Sequence, residues 1–492
     1  MKPILSFLAF LCGFHILFWH EALGLNLVIF GALIITIGYL KERPLPLRPV
    51  HLYLLTLTLA NAIAVLWLNT LFSNTLFALL TLTTYGSFQL KEASVLEGFS
   101  NGVLNIFNYQ QGLIPGLASA LPAPRTKGAL YLRLSLVPLL IFIFYLILFS
   151  AGNSIFNAWG EQFFGSVRRL FKDWSVAYTL FLVLGVILAR WALRSRWGNY
   201  IRIKAYNELK RKTRLPGVFR NMGLKHEYLT AFILLVLLNL LFLAVNIIDI
   251  RWVWFQFYVP AEFSLKDFVH EGVGWLIFTL LLSMGLILFY FRGNLNFYKD
   301  NYRLKILAYL WIFQNTILAI SVVIRTFYYI GFHGLAPGRI GVLLFLTMVL
   351  LGLASLAWKI RNNYNNTYVL KVNTLFVIGV LGIAALLPWN HIILNHNLAH
   401  GNINEIDVDH YLELDPQVYP LVYENLQLIG EQIRGHQKNE RTWISYTSLE
   451  EFRKALDWRA ENYIALRSDR SLASWSYADQ KAVKALTARI DQ

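Results

Sequence analysis

The stretch YLTAFILLVLLNLLFLAVNI, Tyr228–Ile247, carries no charged residue. About 20 consecutive apolar residues are what a helix needs to cross ~30 Å of hydrocarbon. Lipid offers no partner to an open backbone N–H or C=O, so the segment is helical. Stretches of the same kind recur at Pro3–Trp19, Leu23–Leu40, His51–Leu68, Leu71–Leu90, Leu130–Ser150, Trp174–Leu193, Phe268–Phe291, Leu304–Val323, Ile340–Trp358 and Val372–Leu387. The most interrupted of these is Leu71–Leu90, which holds Ser73, Asn74 and several Thr. Of 492 residues, 57% are hydrophobic and 15% charged, against about 25% charged in a soluble domain. The expected fold is all-α: a polytopic helical membrane protein with about eleven transmembrane helices and a small C-terminal helical domain.

The cations set the expected orientation. Lys41, Arg43 and Arg48 follow the second stretch, Lys91, Arg125 and Lys127 the fourth, and ten Lys and Arg from Arg194 to Lys225 the sixth. Arg292, Lys299 and Arg303 follow the eighth, and Lys359, Arg361 and Lys371 the tenth. The alternate connections hold only Arg168, Arg169 and Lys172, then Arg251 and Lys266, then Arg325 and Arg339. Positive loops stay in the cytoplasm. The N-terminus is therefore expected inside the cell and, after an odd number of crossings, the C-terminus outside. The first stretch has no small-residue cleavage site and the next helix follows at once, so it reads as a membrane helix rather than a signal peptide. The implied location is the inner membrane.

Charge also bounds the partners. The net +16 lies in short loops and not on a basic domain, which fits anionic headgroups at the cytoplasmic face and no nucleic acid. Between Arg194 and Lys225, aromatic and aliphatic residues alternate with cations. That segment reads either as an interfacial helix or as a topology anchor. A single cysteine, Cys12, rules out a disulfide within the chain.

Three parts are expected: 1–128, a four-helix membrane segment with a cytoplasmic loop; 129–388, a seven-helix core; and 389–492, an extracytoplasmic helical tail. The tail holds 11 Lys and Arg against 15 Asp and Glu. Asp415 followed by Pro416 predicts a helix start, Pro420 a kink or delay, and Gly435 a stop. Ser448 with Glu451 predicts a capping box. Phe452, Leu456, Tyr463 and Leu466 predict an apolar stripe, and a last helix is expected from Ala478 to Ile490.

No catalytic, metal or cofactor pattern stands out. His391, His396, His400 and His410 cluster after the last span, but the zinc-helix pattern requires Glu where Asn397 stands. They read as a polar juncture. Gln314 and Asn315 mark either interhelical glue, the favoured reading, or a ligand path, and Asn246 and Asp249 read as interfacial caps. The best candidate for a ligand lies at an outer turn. Arg325 and Arg339 bracket it, Tyr328, Tyr329 and His333 lie within it, and Asp407 and Asp409 are expected to reach it from the tail. Two fixed guanidinium groups suit an anionic headgroup or substrate. Their alternative role is snorkelling at the interface.

The stretch Arg325-Thr-Phe-Tyr-Tyr-Ile-Gly-Phe-His-Gly-Leu-Ala-Pro-Gly-Arg339-Ile resembles a turn in bacterial multipass proteins known as domain of unknown function 4173, related to 4153. His333 and Ala336 depart from the Tyr and Thr of that pattern. Phe149–Phe156, Pro388–Asn395, Ile406–Leu412 with Pro420-Leu421, and Ser474–Ser476 extend the similarity, which runs from about Leu130 to the C-terminus. The resemblance implies an integral bacterial inner-membrane protein and no particular activity.

Three function classes remain at this stage. The first is an envelope scaffold or sensory partner whose tail contacts another extracytoplasmic protein. The second is a transporter or flippase of an anionic or lipid-linked substrate, which broken helices with inward polar residues would favour. The third is a membrane enzyme at the outer face, which converging titratable groups would favour. The non-enzymatic reading is placed first.

Overall fold

A computed structural model describes residues 3–41, 47–88, 94–104, 106, 176–194, 209, 224–255, 265–299, 301–400, 408–437, 448–468 and 470–490. Every regular element among them is helical. Five helices in this set are long and apolar enough to cross a membrane: Pro49–Trp67, Leu224–Phe255, Asn301–His333, Pro337–Arg361 and Asn366–Ala384. Leu5–Phe18, Leu25–Lys41, Ala177–Leu193 and Leu276–Tyr290 are shorter apolar helices. The expected Leu130–Ser150 helix lies outside the described residues, as does nearly all of the cationic segment between Arg194 and Lys225.

The chain forms two compact units. The first comprises residues 1–20 and 100–200. In it α1 (Pro3–Phe18) packs along the helix Val176–Arg194. Gly185 lets them approach, since a Cβ there would lie 2.7 Å from the Phe14 ring. Phe14 stacks on Phe181 at 4.7 Å.

The second unit comprises residues 21–99 and 201–492. Its first part holds α2 (Leu25–Lys41), α3 (Pro49–Trp67), α4 (Leu71–Ser87) and the short α5 (Val95–Phe99). α4 is a helix despite its Ser and Thr content, because these groups are used locally. The Thr70 hydroxyl accepts from Ser73 N–H at 3.1 Å, and Thr84 bonds Thr58 of α3 at 3.0 Å. Asn61 of α3 donates to the Gly382 carbonyl at 3.2 Å, which ties this part to the helix Asn366–Ala384.

The next four helices in this unit are α7 (Leu224–Asp249), α8 (Leu265–Tyr290), α9 (Asn301–His333) and α10 (Pro337–Arg361), the Val176–Arg194 helix being α6. α11 is Asn366–Ala384. Buried positions in α7 are Ala231, Leu235, Asn239, Phe242, Asn246 and Asp249. Their spacing of three and four is the seam of a coiled coil. The matching row in α9 is Leu304, Ala308, Trp311, Asn315, Leu318, Val322, Arg325 and Tyr329. Bonds from Asn239 to the Leu307 carbonyl and from Asn246 to the Gln314 carbonyl advance both helices by seven residues. The two helices are therefore parallel. At one end of this bundle Lys359 donates to the Phe291 carbonyl at 2.6 Å, and Lys305 to Asn363 at 2.9 Å.

The tail folds at the other end. It contains α12 (Trp389–Ala399), α13 (His410–Glu413), α14 (Tyr419–Glu424), α15 (Leu426–Gln437), α16 (Leu449–Ser468) and α17 (Tyr477–Ile490). Val408, Tyr411, Val418, Val422, Ile429, Phe452, Leu456 and Leu486 are buried in its core, which Ile340 of α10 joins. Pro416 opens a 3-10 turn, Pro416–Val418, before α14. α15 runs past Gly435, the expected stop, to Gln437. Ser448 accepts from Glu451 N–H at 3.2 Å. Phe452, Leu456 and Tyr463 form the buried stripe, but Leu466 is 61% exposed.

Candidate functional site

Two polar constellations stand out, both in the second unit. The first joins the tail to the ends of α2, α3 and α4. Ser476 opens α17 by accepting Asp479 N–H at 3.3 Å, the N-cap pattern of Ser before a helix. This fixes the Asp479 carboxylate, which is only 5% exposed. Five groups converge on it: Asn69 at 2.7 Å, Gln417 at 2.9 Å, Tyr463 at 2.6 Å, Ser476 at 2.8 Å and the Arg467 guanidinium at 3.1 Å. A buried carboxylate needs that many donors, since an unpaired buried charge is costly. Burial and the Asp479 carboxylate push the Tyr463 phenol above its ordinary range.

Asn69 is the link to the membrane helices. It sits between α3 and α4 at φ +46°, a left-handed conformation that Asn tolerates better than most residues. Its amide also donates to the Leu23 carbonyl at 2.9 Å, and its oxygen accepts from Asn74 at 2.8 Å. Close by, Leu25 N–H bonds the Trp475 carbonyl at 3.0 Å. Ala22 N–H bonds Ser474 at 2.9 Å, and Ser474 donates to Glu21. Burial pushes the Glu21 carboxyl up, but hydrogen bonds from Ser471 and Ser474 and the Arg470 charge outweigh it and hold the group below its ordinary value. Asp415 lies at the same junction and accepts from Asn390 at 2.5 Å. Burial raises its pKa; the Asn390 bond opposes this and the Asp479 charge adds to it. Burial likewise lowers the pKa of His391, with help from the Lys481 charge.

The second constellation is the seam between α7 and α9. Asn239 donates to the Leu235 and Leu307 carbonyls, which fixes its amide orientation. Gln314 then donates to Asn239 Oδ1 at 2.9 Å. Asn246 donates to the Gln314 carbonyl at 3.1 Å, and Trp254 to Ser321 at 2.8 Å. Arg325 Nη2 meets Asp249 Oδ1 at 2.6 Å, with both side chains at most one-tenth exposed. Directly after Asp249, α7 widens into a π-helical turn, Ile250–Phe255. Such turns recur at functional positions. Asn246 Oδ1, Asp249 Oδ2, Gln314 Oε1 and Asn315 Oδ1 are buried with no hydrogen-bond donor among the described residues.

Over residues 6–425 the chain matches the family described as Domain of unknown function (DUF4153). The chain belongs to this family. The DUF4153 match takes in the whole α7–α9 seam and Asn69, and stops short of Asp479. It supports the relation to 4153 read from the sequence and leaves the 4173 resemblance as a resemblance. No curated protein matches the chain, and no solved structure does.

In this DUF4153 protein the residues at the turn between α9 and α10 are distributed over several environments. Arg325 does not end its helix, because α9 runs on to His333. It lies in the seam on Asp249, and this replaces both the snorkelling reading of Arg325 and the capping reading of Asp249. Asn246 is likewise buried in the seam. Gln314 has the interhelical role read for it, while Asn315 donates within its own helix, to Trp311. Arg339 donates to the carbonyls of His333 and Gly334. Its guanidinium also lies 4.6 Å above the Tyr329 ring, which is 4.5 Å from the His333 ring. Tyr328 faces the other way, into an open apolar groove of about 480 Å³ with Ile324, Phe327, Gly331 and Phe332.

The turn does meet the tail, through a residue the sequence marked only as a break in the zinc-helix pattern. Asn397 of α12 accepts Leu335 N–H at 2.6 Å and donates to the Leu335 carbonyl at 2.9 Å. Gly334, at φ +78°, makes room, since a Cβ there would lie 2.7 Å from Asn397 Oδ1. Asp409 stands at the start of α13, and Asp407 lies outside the described residues. His396 and His400 lie 4.3 Å apart as rings. Among the described residues no three His, Cys, Asp or Glu are grouped to hold a metal.

Proposed function

We propose that the protein is a bacterial inner-membrane scaffold or sensory partner whose C-terminal domain lies outside the cytoplasm and engages an extracytoplasmic protein. The observation that carries this reading is the Asp479 hub, which fastens a folded domain to the turn between α3 and α4. A domain held by a buried carboxylate moves with the helices beneath it. The exposed side of α16 presents Trp458 at 67% and Leu466 at 61% exposure. Tryptophan is a favoured anchor at protein interfaces. The tail sits at the turns near residues 22, 69 and 335, the helix ends that are poor in cations. Lys41, Arg48, Arg292 and Arg361 mark the opposite ends, which the positive-inside rule assigns to the cytoplasm, with their charge toward anionic headgroups.

A photo-crosslinking residue at position 458 in intact cells tests the reading. The expected result is one discrete protein adduct, absent when the probe is moved to 424 and lost in Leu466→Glu. Equal adducts at 458 and 424 would overturn it.

A second reading, a transporter of a polar substrate that donates hydrogen bonds, draws on the α7–α9 seam. Its support is a buried ion pair and four unsatisfied acceptor oxygens beside a π-helical break, since polar groups within spanning helices mark transport paths. Substituted-cysteine labelling at Asn315 separates the two readings. Reaction with a small hydrophilic thiol reagent supports a path, and inertness supports a structural seam.

A further inference from the structure

The tail carries an apolar rim that its own core does not use. Leu472 stands at the tip of the 3-10 turn Leu472–Ser474 and is 82% exposed. Trp475 and Tyr477 follow at 36% and 39%. On the helix ends, Trp67 at the end of α3 is 58% exposed and Leu71 at the start of α4 is 77% exposed. Trp67 and Tyr477 stack at 4.4 Å, so the tail residues and the helix-end residues form one continuous surface.

Backbone bonds fix the level of this surface. Leu25, the first residue of α2, donates to the Trp475 carbonyl at 3.0 Å. Gly24 allows that approach, because a Cβ there would lie 2.7 Å from the Ser474 and Trp475 carbonyl oxygens. The loop therefore sits where α2 and α4 begin and α3 ends. α3 is a span by length and composition, and the end of a span lies at the depth of the headgroups. Trp and Tyr are enriched at that depth, with an apolar ring facing the chains and a polar tip facing water. Trp475 fits: its Nε1 donates to Gln480 at 2.9 Å while its ring stays on the rim.

We propose that the loop from Ser471 to Tyr477 is seated in the lipid interface of the leaflet on the tail's side, with Leu472 reaching into the upper acyl region. The tail is then held by lipid as well as by its bonds to the helix ends. The occupant is phospholipid rather than a protein partner because the surface is continuous with the membrane-facing ends of α3 and α4. This seat depends on the docking geometry and not on what the tail recognises.

The test uses the full chain in nanodiscs of phosphatidylcholine and phosphatidylglycerol, in a Cys12→Ser background. A nitroxide at Leu472→Cys is compared with one at Leu240→Cys, on a face of α7 that is 60% exposed, and one at Lys454→Cys, on the exposed side of α16 with its side chain 75% exposed. The expected oxygen-to-nickel-chelate accessibility ratio at 472 is several-fold above that at 454 and shifted toward that at 240. A ratio at 472 equal to that at 454 overturns the proposal. Trp475→Cys repeats the measurement at a second position, and only protein and lipid are present to provide the contact.

Discussion

Asn69 and Asp479 are 410 residues apart in the chain and their side chains meet at 2.7 Å. The bond spans the junction between a turn of membrane helices and the last helix of the tail. Hydrogen bonds to charged groups contribute about 1.5–3 kcal/mol. Asn69→Ala and Asp479→Asn should each raise the protease sensitivity of the tail. Their double-mutant coupling should fall in that same range, measured by the free energy of local opening in hydrogen exchange. Coupling near zero would show that the two residues are neighbours without mutual dependence.

The Asp249–Arg325 pair is buried, so removing one partner leaves a charge without compensation. Arg325→Met alone should lower stability by about 3–5 kcal/mol, and Asp249→Leu with Arg325→Met should recover much of it. Thermal unfolding in nanodiscs reads both. A loss below about 1 kcal/mol for the single variant would fit an exposed, snorkelling arginine instead.

Gly24→Ala places a methyl group 2.7 Å from two carbonyl oxygens of the tail. The loop must shift, and overpacking of this kind costs about 1–3 kcal/mol. Gly341→Ala has nothing within 4 Å of its added carbon and serves as the control. Tail protection should fall in the first variant and stay unchanged in the second. Equal protection in both would mean that the Gly24 approach is not maintained in the membrane.

The Asp415 carboxyl has a folded-state pKa raised above its ordinary 3.8. A raised value means the folded state holds its proton more tightly than the unfolded state. Its contribution is then favourable below 3.8 and is lost as pH rises through the folded value. Asp415→Asn keeps an acceptor for Asn390 and carries no charge. It should therefore stabilise the tail near pH 7 and lose that advantage as pH falls below 3.8. The two unfolding midpoints, followed against pH, should converge in acid. A constant gap across the range would contradict the assignment.

Ten of the eleven expected apolar stretches coincide with helices the structure describes, five of which are long and apolar enough to cross a membrane, and the remaining stretch falls outside the described residues. That success has a simple cause: lipid imposes length and helicity on each segment by itself. The seam was half legible. Gln314 stood out as a polar residue in an apolar run, but its partners Asn246 and Asn239 lie 68 and 75 residues away. Arg325 was misplaced because the charge was taken as a boundary, whereas α9 continues for two turns beyond it. The Asp479 hub was hidden for a different reason. Ser476 and Asp479 carry a local capping signal, yet nothing in sequence links Asp479 to Asn69, Gln417 or Tyr463. Convergence of five donors on one carboxylate is a property of the tertiary fold.

The central claim is that the tail is docked on the ends of the membrane helices, and Trp67 with Tyr477 offers the most direct test. Their rings stack at 4.4 Å across the junction. In a Cys12→Ser background, Trp67→Cys with Tyr477→Cys should be joined within minutes by a short bifunctional thiol reagent in native membranes. The account predicts near-complete intramolecular crosslinking, slowed by Asp479→Ala. Failure to crosslink in protein that otherwise resists proteolysis would contradict it.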